Sequence, residues 1–600
     1  MLKNQTRFLR SAWALGLLLF AGVTGTLRAQ SLVEPVETVL SQQQQHYLSV
    51  IMAEPQYVDH ILVDLNFEAL EFTGLFLELP GDAPNVNISR SYLDKSMTTH
   101  WGYSGHVDGF PQYTFDAVRR GENMRAILRL GNDLYGIHPI GDGMHVMTHE
   151  NPANFPPDHD PDEWDRVKDN VYTSNNEPPR LDPIAEGSSS RSSESALVEC
   201  AIRVLVAYTD DVAGARVDPH LEIILATQNH NNANNNSFVA HDIEIARIVE
   251  VNYVEPGNLD DAVDDFEGTS DGNMDNIHAL RSLYDADLCQ LITDFSGGCG
   301  LASGIGSTYS TGFCVSDYGC IAGNLTYAHE FGHLYGCRHD PYVDPSITPY
   351  IFGHGYVNVT DNWRTVMAYN NACSDAGTSC TRLQYWSNPS VTYFGDPMGV
   401  AGLSDNEAAL EDADLSIANY EGTVTNKSVF SSDIIADDEV GHFYGASTLT
   451  NTSTLTVQSG GDLQMEAGTQ ITLAPGFRAN SGSTFRANIN TFCSTISDAP
   501  SRPDQLDPQE EEILGDLYKI QPNPADQAAR IELNLNREQN VFVAAYTLGG
   551  QLVEILVNQT SMAEGPHYVD WNTSKLTSGT YVVKFVMDGE ESISRTIIQH

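Results

Sequence analysis

The residues with the greatest capacity for chemistry lie close together, between positions 326 and 340. His329 and His333 are four residues apart, so on a helix both imidazoles would project from one face toward one ion. Glu330 lies beside them and is not needed as a ligand. Gly336 can adopt a left-handed conformation that ends the helix, and the reversed chain can then bring back His339 as a third nitrogen ligand. The spacing predicts a three-histidine metal site with a spare carboxylate.

Three protein ligands leave one coordination position for water, and this decides the chemistry expected here. Zinc bound in this way lowers the pKa of its water from about 15.7 to about 7. Glu330, one residue after the first ligand, is placed to take the proton. We therefore expect a Zn²⁺ site that hydrolyses amide bonds, with Glu330 as the general base.

Two other interpretations of these residues are weaker. For a coincidental histidine-rich helix, the frequencies of three His, two acidic residues and one Gly give roughly 3 × 10⁻⁵ chance matches in the chain. A structural zinc site is the second alternative, but such sites are commonly rich in cysteine. A catalytic site remains the prediction.

The pattern H-E-x-x-H-x-x-G-x-x-H-D resembles the signature of the metzincin metallopeptidases, over about residues 200 to 420. Thr365-Val366-Met367-Ala368-Tyr369 resembles their Met-turn, which implies that Met367 forms a hydrophobic base under the zinc. An aspartate directly after the third histidine, here Asp340, resembles the pattern of the reprolysin or adamalysin branch. Trp386-Ser387-Asn388-Pro389 followed by Gly395 further resembles the bacterial peptidyl-Asp metalloendopeptidases.

Two features of the sequence concern its comparison with that branch and with other metzincins. Tyr369 stands where astacin-like and serralysin-like enzymes place a tyrosine that can approach zinc, and the sequence leaves open whether it does so or only packs. Some metzincins block their zinc with a propeptide cysteine. No cysteine precedes Cys200, so a cysteine switch is excluded.

Elements around the motif alternate between strand and helix, as in an α/β domain. Strands are predicted at Ile202–Tyr208, 243–254 and Leu288–Ile292, with helices near 219–229 and from a cap at Asp271 to about 284. These elements must position the metal site.

The whole chain is predicted to be multidomain and exported. A basic start followed by an apolar stretch predicts a signal peptide, and a Pro- and Ser-rich segment predicts a linker that proteases can reach. The predicted order is signal peptide 1–29, β-rich propeptide 30–150, linker and processing segment 151–199, zinc metallopeptidase domain 200–422, β-solenoid-like stack 423–495, linker 496–513 and C-terminal β-sandwich 514–600.

The C-terminal segment resembles the sorting domain of type IX secretion. The resemblance rests on Gln521-Pro522-Asn523-Pro524-Ala525, Leu548-Gly549-Gly550 and Leu576-Thr577-Ser578-Gly579-Thr580-Tyr581. It implies that the type IX machinery is a partner, and that the protein crosses the periplasm of a Gram-negative bacterium to the surface or medium. An accessory β-sandwich is the alternative.

Charge and composition exclude some classes of partner. Lys and Arg number 31 against 80 Asp and Glu, so the net charge of −49 repels phosphate backbones and excludes nucleic acid. No apolar run after residue 25 is long enough for a transmembrane helix, so none is expected in the mature protein. Calcium is a second candidate ion, although the spacing of the acidic residues favours a solvated loop. These residues are Asp260, Asp261, Asp264, Asp265, Glu267 and Asp271.

The cysteines also suit an exported protein. Eight of the nine lie between Cys200 and Cys380, which suggests a disulfide-stapled domain, with buried free thiols as the alternative. Connectivity is not readable, but the short Cys314/Cys320 and Cys373/Cys380 loops are the natural pairs to expect.

The sequence as a whole predicts a secreted zinc endopeptidase that acts on proteins or peptides. A surface adhesin with a metzincin-like domain that only binds is the rival. Intact His329, Glu330, His333 and His339 argue against it, because a binding domain has no need of the base.

Overall fold

The structure is a computed structural model that describes most of the chain between residues 30 and 598. Within that range it leaves out residues 81–84, 95–99, 160–169, 172–201, 296, 422–425, 430–431, 438, 490–517, 522–524, 536, 538, 548–551, 564, 577–578 and 588–589. The predicted signal peptide, most of the predicted first linker and the predicted second linker lie outside the described residues. No helix in the described ranges is long and apolar enough to cross a membrane.

Residues 30–150 form one ten-stranded sheet with a core of its own. Glycines with positive φ, such as Gly121 and Gly131 (both 61°), turn one long strand directly into the next. The helix Gln42–Ile51 begins with a capping box between Ser41 and Gln44, and short 3₁₀ helices lie at Phe67–Glu71 and Pro152–Asn154. The strands are Gln30–Ser31, Val33–Pro35, Tyr57–Leu65, Gly74–Leu77, Val86–Asp94, Trp101–Val107, Phe110–Arg120, Asn123–Leu130, Asp133–Gly141 and Met144–Glu150.

The central unit is a mixed sheet flanked by helices. Its parallel strands are Ile202–Thr209, Ile243–Val251, Leu288–Thr293 and Phe313–Asp317, and the antiparallel Gly300–Ala302 forms the outer edge. Strands such as Leu288–Thr293 are buried along their whole length, which accounts for their largely apolar sequence. The helices are Asp210–Ala215, Pro219–Ser237, Leu259–Glu267, Asn276–Leu283, Thr326–Leu334, Asn371–Asp375 and Asn406–Ile417, with a 3₁₀ turn at Tyr309–Thr311. Short strands lie at Val357–Asn358, Trp363–Arg364, Thr381–Arg382, Thr392–Tyr393 and Asp396–Pro397.

Two helix boundaries in this unit differ from the prediction. The Pro219–Ser237 helix continues past residue 229 through an asparagine-rich segment. Asn229 donates to the Ala322 carbonyl and Asn234 donates to the His241 carbonyl, so tertiary hydrogen bonds offset the low helix propensity of asparagine. The next predicted helix begins at Asn276 rather than near Asp271.

The acidic segment after residue 258 is helical, so the predicted solvated loop is wrong there. Asn258 caps the Leu259–Glu267 helix, whose Leu259, Val263 and Phe266 are buried on one face. Its aspartates follow from the polar side of an amphipathic helix. Nothing in the described residues tests calcium binding, which stays a prediction.

The disulfides bear out one expected pair and contradict the other. Cys373 pairs with Cys380 as predicted, whereas Cys320 pairs with Cys299 and not with Cys314. Cys314 lies within the buried strand Phe313–Asp317, where its Sγ faces the Cys289 carbonyl in the core. Cys289, Cys314 and Cys337 are buried free thiols.

Residues 426–489 form a stack of parallel strands that recur every 22 residues. Thr448 pairs with Asn426 on one side and with Gln470 on the other. One face of the stack continues the central sheet, because Val440–Gly445 pairs with Ile243–Val251. The two units share a hydrophobic core, so the predicted boundary near residue 422 does not separate two cores. The strands are Asn426–Val429, Asp433–Ile435, Val440–Gly445, Thr448–Asn451, Leu455–Val457, Asp462–Ala467, Gln470–Leu473, Phe477–Ala479 and Thr484–Ile489.

The C-terminal unit contains a three-stranded and a four-stranded antiparallel sheet that share one core. Trp571 and Phe585 are fully buried in that core. The strands are Tyr518–Gln521, Ala528–Leu535, Gln539–Thr547, Leu552–Met562, Gly565–Asn572, Gly579–Met587 and Glu590–Ile598.

The shared core leads to a prediction about truncation. A chain that ends at residue 422 loses Phe443, Leu463 and Met465, all fully buried. Each such side chain contributes about 1.5–3 kcal/mol, against a net domain stability of about 5–15 kcal/mol. We expect this chain to aggregate, while a chain that ends at residue 490 stays soluble and unfolds within a few degrees of the full-length protein by calorimetry. Equal unfolding temperatures for the two truncations would show that the cores are independent.

Candidate metal centre

The active-site helix, Thr326–Leu334, is buried at every position and ends in a sharp turn. Gly336 makes that turn with a φ of 96°. A Cβ at this position would lie 2.8 Å from Pro349 and 2.8 Å from Tyr350, so both the backbone angle and the space require glycine. The chain reverses here and returns with His339 next to the helix.

Three imidazoles meet beside this helix. The Nε2 atoms of His329 and His339 are 3.1 Å apart, and so are those of His333 and His339. On the opposite side of its ring, His329 places Nδ1 3.0 Å from the Val366 carbonyl oxygen. His333 places Nδ1 2.9 Å from the Cys337 carbonyl oxygen. These contacts put a proton on each Nδ1 and turn the Nε2 lone pairs toward a common centre.

A fourth imidazole, from outside the predicted motif, completes the cluster. His159 follows the ten-stranded N-terminal sheet, and its Nε2 lies 3.3 Å from that of His333 and 3.2 Å from that of His339. Its Nδ1 lies 2.6 Å from the Gly300 carbonyl oxygen, which repeats the arrangement of the motif histidines. The candidate ligand atoms of all four residues lie within 4.8 Å of one another, and all four side chains are buried.

This donor set fits a tetrahedral metal ion. With metal–nitrogen distances of about 2.0–2.1 Å, the nitrogens of a tetrahedral zinc site are separated by about 3.3–3.4 Å. The four Nε2–Nε2 separations given above are 3.1–3.3 Å. Burial lowers the pKa of His329 to about 3 and that of His159 to about 4, and it lowers the pKa values of His333 and His339 well below the usual range. The rings are therefore neutral at neutral pH, which is the form that binds metals.

Glu330 lies directly beside the cluster. Its side chain is fully buried and packs against Gly300 of the edge strand, where an added Cβ would lie 2.6 Å from Oε1. Among the described residues no side chain donates a hydrogen bond to either carboxylate oxygen, while the Ala302 backbone N–H lowers the pKa of the carboxylate. Burial, and then the charge of Asp158, raise the pKa of Glu330 well above its usual range.

The segment predicted as a Met-turn passes under the helix. Met367 is fully buried, and a Cβ on Gly332 of the helix would lie 2.5 Å from its Sδ. Asp340 links this segment to the third histidine, because its Oδ2 accepts a hydrogen bond of 2.9 Å from the Tyr369 N–H. The Tyr369 ring centroid lies 4.1 Å from that of His339, and its buried hydroxyl has no partner among the described side chains and backbone.

Residues 157–159 cover the edge of the central sheet. The Cys299 N–H donates to the Pro157 carbonyl at 2.9 Å, and the Gly300 N–H donates to the Asp158 carbonyl at 3.0 Å. Asp158 also forms a two-pronged ion pair with Arg382, at 2.9 and 2.5 Å. Burial alone would raise the pKa of Asp158, but the charge of Arg382 and its hydrogen bonds to the carboxylate outweigh it and lower that pKa.

Comparison with known proteins places this geometry in a family. Residues 199–387 match Metallo-peptidase family M12, and residues 519–599 match the secretion system C-terminal sorting domain. A peptidyl-Asp metalloendopeptidase of Stenotrophomonas maltophilia is 33% identical over 427 residues, which cover 68% of this chain and 97% of that protein. One from Xanthomonas campestris is 35% identical over 388 residues, 62% of this chain and 88% of that protein.

The chain belongs to metallopeptidase family M12. It is a metalloendopeptidase with a histidine cluster able to bind a metal, and it carries a C-terminal sorting domain of the type IX secretion system. The predicted reprolysin-like resemblance and the predicted enzyme class are therefore confirmed. The adhesin alternative loses its support.

For this metallopeptidase, the structure brings the predicted His329, Glu330, His333 and His339 together. Sequence reasoning missed His159, Asp158 and Arg382. The first two lie in the segment taken for a linker, where Asp158-His159-Asp160 was the available signal. Arg382 is one of seven arginines, with no lysine, between residues 201 and 420, and nothing local distinguishes it from the others.

The turn after the helix gives a second prediction. Gly336→Ala places a Cβ in a left-handed backbone and against two rings, so we expect a loss of about 1–3 kcal/mol in unfolding free energy and weaker retention of metal. Urea unfolding and metal analysis of the purified protein measure both. Gly214→Ala is the matched control, because nothing lies within 4 Å of its added Cβ and it sits in a helix. A Gly336→Ala protein as stable as this control would contradict the strained turn.

Proposed function

We propose that this metallopeptidase is a zinc-dependent endopeptidase in which Glu330 is the general base. The observation that carries the proposal is the convergence of three motif imidazoles beside a buried carboxylate that accepts no side-chain hydrogen bond among the described residues. His329, His333 and His339 would hold the ion. Zinc bound there would act as a Lewis acid on the substrate carbonyl and would make water a nucleophile near neutral pH.

The protein residues around the ion have distinct tasks. Glu330 takes a proton from the attacking water and returns it to the leaving amine nitrogen, as one carboxylate can do in both halves of the reaction. Met367 and Gly332 pack closely under the ligands, so the helix keeps its position. Asp340 ties the loop of His339 to the backbone of Tyr369.

The relatives' names suggest the substrate class. They are peptidyl-Asp metalloendopeptidases, and this chain covers nearly the whole length of the Stenotrophomonas protein. We extend to this chain a preference for peptide bonds next to aspartate in protein substrates.

Export and maturation complete the proposal. The sorting domain supports transport to the cell surface or medium. The predicted signal peptide at 1–29, propeptide at 30–150 and processing segment at 151–199 would make the chain a precursor that is cut before it acts. N-terminal sequencing of the secreted form tests this, because a mature protein that begins at Gln30 would contradict the propeptide.

The proposed base is tested by Glu330→Gln. The substitution keeps the imidazoles but removes the proton acceptor, so we expect zinc to stay bound while kcat falls by about 10²- to 10⁴-fold. His333→Ala should instead lose zinc, and a chelator should abolish wild-type turnover reversibly. The measurements are peptide cleavage and metal content of the secreted enzyme. Glu407→Gln, on the Asn406–Ile417 helix, is the control. Near-normal turnover by Glu330→Gln would exclude the assigned role.

A further inference from the structure

The contact between residues 157–159 and the histidine cluster is unexplained by the proposed reaction. We propose that His159 is a fourth zinc ligand in the precursor, so that the N-terminal unit closes the metal site with a histidine. The inference rests on the proposed zinc binding. It goes beyond the three-histidine motif because it assigns a ligand from a different part of the chain.

The chemistry of the four rings indicates a metal ion at their centre. His159, His329 and His333 each direct Nδ1 at a backbone carbonyl oxygen, which requires a hydrogen on that nitrogen. The Nε2 lone pairs of all three then face Nε2 of His339 at 3.1–3.2 Å, and that of His159 also faces that of His333 at 3.3 Å. Lone pairs at this distance repel unless a cation lies between them. All four rings are buried, so a metal ion rather than bulk water is the group that suits the centre.

His159 is held in place from both sides. Backbone hydrogen bonds from Cys299 and Gly300 fix the two residues before it on the edge strand. The N-terminal sheet is anchored to the central unit by a buried Arg125–Glu222 ion pair. Arg129 of the same sheet donates to the carbonyls of Ala322 and Gly323, just before the active-site helix, at 2.6 and 2.9 Å.

A bound His159 keeps the precursor inactive, so no propeptide cysteine is needed. With the His159 imidazole in the fourth position, a tetrahedral ion has no place for water. The His159 ring also stands 3.9 Å from the Glu330 carboxylate, so it occupies the space that a water would need to reach the base. Activation then requires residues 157–159 to leave the edge strand.

The ligand set can be counted directly in the intact precursor. Full-length Glu330→Gln chain, which should not process itself, is loaded with Zn²⁺ for X-ray absorption and with Co²⁺ for visible spectroscopy. We expect four imidazoles in this precursor, and three imidazoles plus an oxygen ligand after His159→Ala is added, with a changed cobalt spectrum. His149→Ala changes a half-buried histidine of the same sheet that pairs with Asp133, and this variant should keep all four imidazoles.

Peptide cleavage gives a second measurement, made in a chain that keeps Glu330. A chain with His159→Ala alone should cleave a short peptide before processing at a rate at least about tenfold above the wild-type precursor, since the fourth ligand is lost. Three imidazoles in the unsubstituted precursor, or a precursor that binds no metal, would overturn the proposal. So would an unchanged cobalt spectrum after His159→Ala.

A separate observation, the ion pair of Asp158, points to the group that recognises substrate. We infer that Arg382 binds the aspartate side chain of substrates and that Asp158 occupies its place in the precursor. This inference rests on the proposed preference for aspartate. Asp158 is directly adjacent in sequence to His159, whose ring lies at the metal position. A substrate aspartate next to the cleaved bond is likewise one residue from the carbonyl that reacts at the metal, so both carboxylates lie at the same distance along the chain.

The surroundings of Arg382 suit this role. Its guanidinium is almost fully buried and is oriented by the carbonyls of Asn324, at 2.9 Å, and Ala368, at 3.2 Å. Asn324 also donates from its side-chain amide to Asp158 at 2.8 Å. The carboxylate partner of Arg382 in the described structure comes from outside the central unit. Once Asp158 leaves, the buried guanidinium requires another anion, because an unpaired buried charge is costly.

The test compares matched peptides with Asp or Asn beside the cleaved bond, using zinc-loaded enzyme from cells that secrete the full-length chain. We expect wild type to favour Asp by kcat/KM, and Arg382→Gln to reduce that preference at least about tenfold while it still cleaves the Asn peptide. Arg382→Lys, which keeps the charge, should retain part of the preference. Arg281→Gln is the control, because this buried arginine of the central unit donates to the backbone carbonyls of Ala286, Tyr309 and Asp287 and not to Asp158.

The possible outcomes test the proposed function, the substrate class and the role of Arg382 separately. No cleavage of either peptide by wild type would defeat the proposed function itself. Cleavage without an Asp preference would defeat the proposed substrate class. An Asp preference that survives in Arg382→Gln would overturn the assignment of Arg382 alone. If Arg382→Gln fails to fold, a full preference in Arg382→Lys would overturn it instead, because a single ammonium cannot reproduce the two-pronged contact.

Discussion

The metal centre depends on one repeated interaction, a hydrogen bond from imidazole Nδ1 to a backbone carbonyl. Each such bond fixes a ring by main chain that is itself held in the fold: Val366 in the segment under the helix, Cys337 after the turn and Gly300 on the edge strand. Side chains alone would not aim neutral imidazoles at a common point, because their lone pairs repel. The fold supplies the orientation, and an ion bound at the centre would return the energy that this arrangement costs.

Local spacing explains why the motif could be predicted from sequence while the rest of the cluster could not. His329, His333 and His339 lie within one helix and one turn, so helical periodicity and the need for glycine at position 336 are enough to bring them together. His159 is 174 and 180 residues away from its partners in the chain. It lies in a proline-rich stretch with few apolar residues, and such a composition predicts a linker. Only the docking of the N-terminal sheet makes it a neighbour.

The same limit applies to the disulfides and the domain boundary. Cys373 and Cys380 meet because the chain turns back at Gly377 after the helix Asn371–Asp375, whereas the partner of Cys320 depends on which cysteine lies at the sheet edge. The sequence predicted a stack from residue 423, but not that its strand Val440–Gly445 pairs with Ile243–Val251. Pairing between distant strands leaves no local periodicity, so the start of the stack was predicted as a boundary although the hydrophobic core continues across it.

The continuous sheet has a mechanical consequence for an enzyme that works outside the cell. The edge strand Gly300–Ala302 and the last stack strand Thr484–Ile489 belong to one eight-stranded sheet. Backbone hydrogen bonds between neighbouring strands therefore run from the strand beside the metal centre to the end of the stack. Whatever holds the protein by that end also sets the orientation of the metal centre, so the stack acts as its mount.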